Sequence, residues 1–202
     1  MTCSTCAAPV RTQFASPGLV GAIVEDGLDP ASDPDWQTSG AASLADYARW
    51  CGHLCGVTCL QMVLGETAPD LFALRDGALK YGGYTEEPDG AIRGLIYAPF
   101  ADYVRNEHAV AATVHRHLTL DEVTAHLDEG RRVMASVHYA IRRPHDPSPG
   151  KGGHLVLLTA RTPAGGVHFH NPSGTGPDTR AADLSLEDFA RYFAGRGVSF
   201  GE

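Results

Sequence analysis

Apolar positions recur at helical spacing through the first half of the chain and at strand spacing through most of the second. Leu60, Val63 and Leu64 share one helical face, which predicts a helix beginning near Cys55. From Asp70 to Tyr81 the spacing of Leu71, Leu74, Ala78 and Leu79 predicts a second helix, and Gly82-Gly83 ends it. After a polar loop from Glu86 to Gly94, Tyr97 to His108 reads as a third, with Pro99 in its first turn, where a missing N–H costs nothing. Val110 to Leu118 then alternates like a strand. Thr119 and Glu122 form a capping box for a helix to Asp128, and Arg132 to Ile141 is apolar enough for a buried strand. A loop rich in Pro and His follows. His154 to Ala160 and Val167 to Asn171 read as the two strands of a hairpin turning through Pro163 to Gly166. Ser185 caps a last helix to Ala194, and Val198 to Phe200 reads as a closing strand. Helices first and strands later is an α+β order, with no internal repeat.

Residues 11–50 break this periodicity. Ser16-Pro17-Gly18, Asp29-Pro30, Asp33-Pro34-Asp35 and Ser39-Gly40 are turn formers, with one short apolar piece at Leu19 to Val24. They predict an ordered loop that wraps the surface and overlies the site, with Trp36 and Trp50 as packing anchors. The expected organisation is a single domain over 1–202: a loop-rich segment 1–50, a helical half 51–109 and a sheet half 110–202.

Composition narrows the function classes. The 202 residues suffice for one substantial core, and the formal net charge of −8, with 16 Lys and Arg scattered along the chain, argues against nucleic-acid or anionic-membrane binding. A peptide or a small amide or thioester is the expected partner. No apolar run reaches the ~20 residues of a membrane helix, and MTCSTCAAPV lacks the basic start and apolar core of a signal peptide, so a cytoplasmic protein is expected. Five cysteines, three of them at Cys51, Cys55 and Cys59, do not form a disulfide framework in a reducing compartment. Cys3-Ser-Thr-Cys6 has the spacing of half a zinc site or of a redox pair. A second cysteine pair at that spacing is missing, so residues 1–10 read as a loose terminus, and no metal or cofactor is expected.

The chemistry concentrates in Trp50 to Leu64, WCGHLCGVTCLQMVL. A cysteine in the first turn of a helix faces unpaired N–H groups and the positive dipole end, which favour a thiolate, and Cys55 occupies that position. Cys51 and Cys59 read as small buried hydrophobes. A nucleophilic cysteine needs a base and a group to orient it. His154 opens an apolar strand after Gly152-Gly153, and Asn171 ends the next one before Pro172, so a tight hairpin brings the two side by side. His168 and His170 alternate onto the strand face opposite Asn171, and His53 is the rival base.

Cys55-Gly56 through Leu60 and Met62, Gly152-Gly153-His154-Leu155-Val156 and His170-Asn171-Pro172-Ser173-Gly174 together resemble the papain-like cysteine peptidases that process double-glycine leader peptides, in particular their stand-alone members. The resemblance runs from about Cys55 to the end of the chain. It implies the papain-like fold, a helical half packed on an antiparallel sheet, and a triad of Cys55 as nucleophile, His154 as base and Asn171 as its orienting group. The family places a Gln a few residues before the nucleophile to hold the oxyanion, and here Arg49 stands six before Cys55. Val10 to Phe14 resembles the segment that carries that Gln, which assigns the role to Gln13 with residues 14–50 as an insertion. The family's usual Asp is Asn171 here, which orients a histidine without adding charge. The implied reaction is acyl transfer through an acyl-enzyme. Water as acceptor makes a peptidase, an amine or alcohol an acyltransferase or ligating enzyme, and loss of the local Gln is the mark of a silent leader-peptide-binding domain.

Overall fold

The computed structural model describes Cys3, Cys6, 8–144, Asp146 and 150–201. The reading of 1–10 as a loose terminus and that of the Pro- and His-rich loop fall partly outside them. The first half carries α1 (Val20–Val24), α2 (Leu44–Trp50), α3 (Cys55–Leu64), α4 (Leu71–Lys80), the short pair β1 (Thr85–Glu86) and β2 (Ile92–Arg93), and α5 (Tyr97–His108). The second carries β3 (Ala111–His115), α6 (Leu120–Asp128), β4 (Arg132–Val137), β5 (His154–Arg161), β6 (Val167–His170), α7 (Pro177–Arg180), β7 (Ala181–Leu184), α8 (Leu186–Ala190) and β8 (Phe193–Gly201). Strands β3 to β8 form one antiparallel sheet in the order β3-β8-β4-β5-β6-β7.

The period of two along β4 and β5 divides the core. Met134, Leu155 and Leu157 face the helices of the first half, whereas Val133, Ala135, Val156 and Leu158 face α6 and α8. Helices cover both faces of the sheet, and β4 and β5 therefore read as apolar runs. No helix among the described residues is long and apolar enough to cross a membrane.

Several elements differ from the sequence reading. The loop-rich segment contains α2, whose Ser43 side chain accepts from the Asp46 N–H and whose Leu44, Tyr47 and Trp50 fall on one face. Strand β4 stops at Val137, because the His138 side chain accepts the Ala140 N–H and starts a 3₁₀ turn over Tyr139–Arg142. The last helix ends at Ala190, and β8 is a central strand, nine residues long, between β3 and β4. Its glycines hid it: a Cβ on Gly197 would lie 2.2 Å from the Met134 carbonyl oxygen, and Gly195 has φ of +64°. Between Gly174 and Ser185, α7 and β7 were not foreseen.

Residues 14–50 fold around a buried carboxylate, with Phe14, Val20, Tyr47 and Trp50 packed in the core. Asp33 accepts from the Ser16 N–H at 3.0 Å, the Ser16 hydroxyl at 2.5 Å and the Tyr47 hydroxyl at 2.5 Å. Burial raises the Asp33 pKa, and these bonds outweigh it, so the carboxyl is held below its usual range. This knot fixes both ends of the excursion, placing Gln13 on one side and α2 on the other.

Candidate active site

Cys55 is the first residue of α3, preceded by a 3₁₀ turn over Cys51–His53. Its side chain is partly exposed on the wall of a cavity of about 400 Å³ that His154 also lines. The glycine after it has a steric cause: a Cβ on Gly56 would come within 2.6 Å of Leu95 Cδ2 and 3.1 Å of Leu155 Cδ1. Helix α3 can thus lie directly on β5, with Cys55 and Leu155 both on the cavity wall.

His154 opens β5 after Gly152 and Gly153, whose φ values of +83° and +94° suit residues without a Cβ. Its Nε2 lies 2.8 Å from Asn171 Oδ1 and 3.0 Å from Ser173 Oγ. Asn171 Oδ1 also accepts from the Ser173 N–H at 3.0 Å and the Ser173 hydroxyl at 3.2 Å. With Oδ1 as the common acceptor, Nε2 carries the imidazole proton and Nδ1 holds the lone pair. Arg142 donates through Nε to Ser173 Oγ at 2.8 Å. His154, Asn171 and Ser173 are all buried.

Ser173 and Arg142 were not singled out from the sequence. Ser173 stood within the His-Asn-Pro-Ser-Gly motif, and its signal was there to be read. Arg142 lies just beyond a stretch read as strand, and nothing in the sequence separates it from Arg143; only the 3₁₀ turn after β4 directs it to Ser173.

Both chemical groups are held neutral. Burial pushes the Cys55 thiol up to about 11, against smaller lowering contributions from the Leu155 and Gly56 backbone and the Arg142 charge. The helix N-terminus therefore acts in the expected direction but does not prevail over desolvation. Burial likewise takes His154 down to about 4; the Asn171 bond opposes this and the Arg142 charge adds to it. The resting cavity wall thus carries a neutral thiol and a neutral imidazole.

Gln13 is brought to the same region from the far end of the sequence. Its backbone N–H donates to the Pro172 carbonyl at 2.9 Å, and its Nε2 to the Cys51 carbonyl at 2.8 Å. It thus bridges the turn after Asn171 and the turn leading into α3. Arg49 points away, to Glu86 and to the Gly90 carbonyl at 3.2 Å. His53 is an exposed member of the cavity wall. Cys51 and Cys59 are buried, and burial raises the pKa of both, Cys51 to about 12. The excursion does not overlie the cleft as expected: none of the residues lining the cavity comes from 14–50.

No family model and no curated protein sequence matches the chain. Among solved structures it is similar to the peptidase domain of Streptococcus ComA, a bi-functional ABC transporter involved in a quorum sensing pathway, with a TM-score of 0.50 and 12% identity over 74% of this chain and 92% of that one. It is similar also to a C39-like peptidase from Bacillus anthracis, with a TM-score of 0.50 and 15% identity over 74% of this chain and 89% of the other. The likeness is one of fold: the chain has the papain-like architecture of C39 peptidase domains, as the sequence motifs implied.

Proposed function

We propose that this chain, having the fold of C39 peptidase domains, is a cysteine peptidase that cleaves a peptide through Cys55, His154 and Asn171. The observation that carries this reading is the His154 Nε2 to Asn171 Oδ1 bond of 2.8 Å beside a cavity whose wall also holds Cys55. With Nε2–H tied to Asn171, the Nδ1 lone pair is left to take the thiol proton as the sulfur attacks the scissile carbonyl carbon. The carbonyl electron pair moves onto oxygen, where the Cys55 N–H and the Gln13 side chain stabilise it. Collapse expels the amine with the proton from His154 and leaves a thioester on Cys55. A water molecule, deprotonated by His154, then attacks the thioester; the acid departs and the thiol regains its proton.

Neutral partners suit this sequence. A general base must be unprotonated, and His154 is unprotonated at any pH well above about 4. Attack creates an imidazolium, which the Asn171 oxygen stabilises without the stronger pull of a carboxylate.

The test is cleavage of a peptide containing a double-glycine sequence, followed by mass spectrometry, with Cys55→Ala as control. Cleavage by the wild type and none by the variant supports the reading. If a transferred acyl group on an added amine is found instead of free acid, the acceptor is an amine. A peptide that binds both proteins and is cut by neither would leave a binding domain.

A further inference from the structure

Away from the cleft, the N-terminal segment meets the opposite face of β6. Cys3, Cys6, His168 and His170 each offer one ligand atom, and the four atoms all lie within 4.8 Å of one another. Cys3 Sγ is 3.2 Å from His168 Nε2, and Cys6 Sγ is 3.4 Å from His170 Nε2. His168 and His170 are two apart on a strand, so their rings leave the same face. Both histidines are buried and both cysteines half-buried.

We propose that Cys3, Cys6, His168 and His170 form a structural zinc(II) site that pins the N-terminal segment to β6. Two cysteine sulfurs and two imidazole nitrogens are the donor set of closed, four-coordinate zinc sites. With Zn–S of about 2.3 Å and Zn–N of about 2.0–2.1 Å, a tetrahedron has S···N edges of about 3.6 Å and an S···S edge of about 3.8 Å. The two S···N separations are already within a few tenths of an ångström of that, and with all four atoms within 4.8 Å of one another no pair has to close by more than about 1.5 Å. The donor set is completed by the two histidines in place of a second cysteine pair, which is why counting Cys-x-x-Cys spacings in the sequence does not reveal it.

A further contact fits a ligand histidine. Asp183 on β7 lies directly opposite His168 in the strand register, and its Oδ1 is 2.5 Å from His168 Nδ1. A carboxylate on the outer ring nitrogen fixes the tautomer that leaves Nε2 free to ligate, and raises its basicity. Nε2 is the atom that faces Cys3.

The site also has a consequence for the cleft. His170 immediately precedes Asn171, and Cys6 precedes Gln13 by one short segment whose end is tied to Pro172. Zinc therefore fastens the two pieces of chain that place Gln13 and Asn171, from behind. The assignment does not depend on the catalytic reading, because it is tested by metal content.

The experiment is metal analysis of untagged protein purified under reducing conditions, and of the stripped protein after dialysis against zinc. About one zinc per chain is expected, falling at least about tenfold in Cys6→Ala and in His168→Ala. Cobalt(II) replacement should give the visible bands of a tetrahedral site together with sulfur-to-cobalt charge transfer. Since a variant that fails to fold would also lose metal, the wild type supplies a second measurement: a chelator should lower its melting temperature and added zinc restore it. Stripped, reduced protein that takes up no zinc overturns the proposal. So does a Cys3–Cys6 disulfide in protein purified without reductant and lacking metal, or zinc that persists in a folded Cys6→Ala variant.

Discussion

His154 and Asn171 are joined by a 2.8 Å hydrogen bond across 17 positions, because β5 begins where the chain leaving β6 ends. The pairing of Leu157 with His170 sets that register, and the Pro172 turn completes it. From this bond follows the order of effects at the site. Cys55→Ala should abolish turnover with the fold intact, and His154→Ala should lower kcat by about 10²–10⁴. Asn171→Ala should cost less, because it orients the base without exchanging a proton. Steady-state kinetics on the cleaved peptide, with circular dichroism to check folding, measures all three.

Ser173 ties Arg142 to the imidazole of His154, and on the proposed mechanism its hydroxyl positions the base. Ser173→Ala leaves Arg142 Nε without its 2.8 Å partner, and the loss of stability should be about 1–3 kcal/mol. Kinetically, kcat should fall with KM little changed, and Ser173→Thr should recover part of the loss. A Ser173→Ala enzyme with wild-type kcat would remove Ser173 from the account of how His154 is held.

The placement of the candidate residues was legible because they sit at punctuation marks: Cys55 at a helix start, His154 after two glycines, Asn171 before a proline. Each marks a place where backbone geometry changes, and such places survive in the sequence as residue types. The helical half was legible because its apolar stripes are periodic over ten or more residues, as in α4 and α5. Of strand β8 only the end, Val198 to Phe200, was legible, since the close approach of Gly197 to Met134 demands a residue that reads as a break. Arg142 was not, because a tertiary turn chooses it over Arg143. Desolvation was the least legible quantity: the favourable end of α3 is evident from the sequence, whereas the burial that outweighs it arises only from tertiary packing.

Gln13 is buried beside the turns that carry Cys51 and Pro172 and is not among the residues lining the cavity. If it donates to the oxyanion, Gln13→Ala should lower kcat by about 10²–10³ while sparing KM, since the donor acts on charge that develops in the transition state. A change in KM with kcat intact would limit Gln13 to bridging Cys51 and Pro172.

Burial of His154 as the neutral form links pH to both activity and stability. Its folded pKa of about 4 lies below its unfolded value of 6.5, so the unfolded chain binds the extra proton between these limits. The stabilisation is fully present above pH 6.5 and is lost as pH falls through the folded value, by no more than about 3 kcal/mol. The acid limb of kcat/KM should set in only as pH approaches the folded value of about 4, because it reports the base in the free folded enzyme. Denaturant melts of wild type and His154→Leu from pH 7 to 4.5 check the first, with the shallower loss expected in the variant.

Gly56 is the steric hinge pin of the cleft. Gly56→Ala would set a methyl group 2.6 Å from Leu95 Cδ2, and forcing α3 off β5 should cost about 1–3 kcal/mol. Because Cys55 moves with the helix, kcat should fall more than stability alone accounts for. A variant with wild-type melting and turnover would show that Leu95 and Leu155 yield freely.

The most direct test of a Cys55 nucleophile served by His154 is site-resolved alkylation with iodoacetamide at pH 7, read by peptide mass spectrometry in wild type and His154→Ala. Cys55 should be modified well ahead of the buried Cys51 and Cys59, and loss of the base should slow its labelling by about tenfold or more while leaving the other cysteines unchanged. Equal Cys55 rates in the two proteins, or preferential labelling of Cys51, would contradict the account.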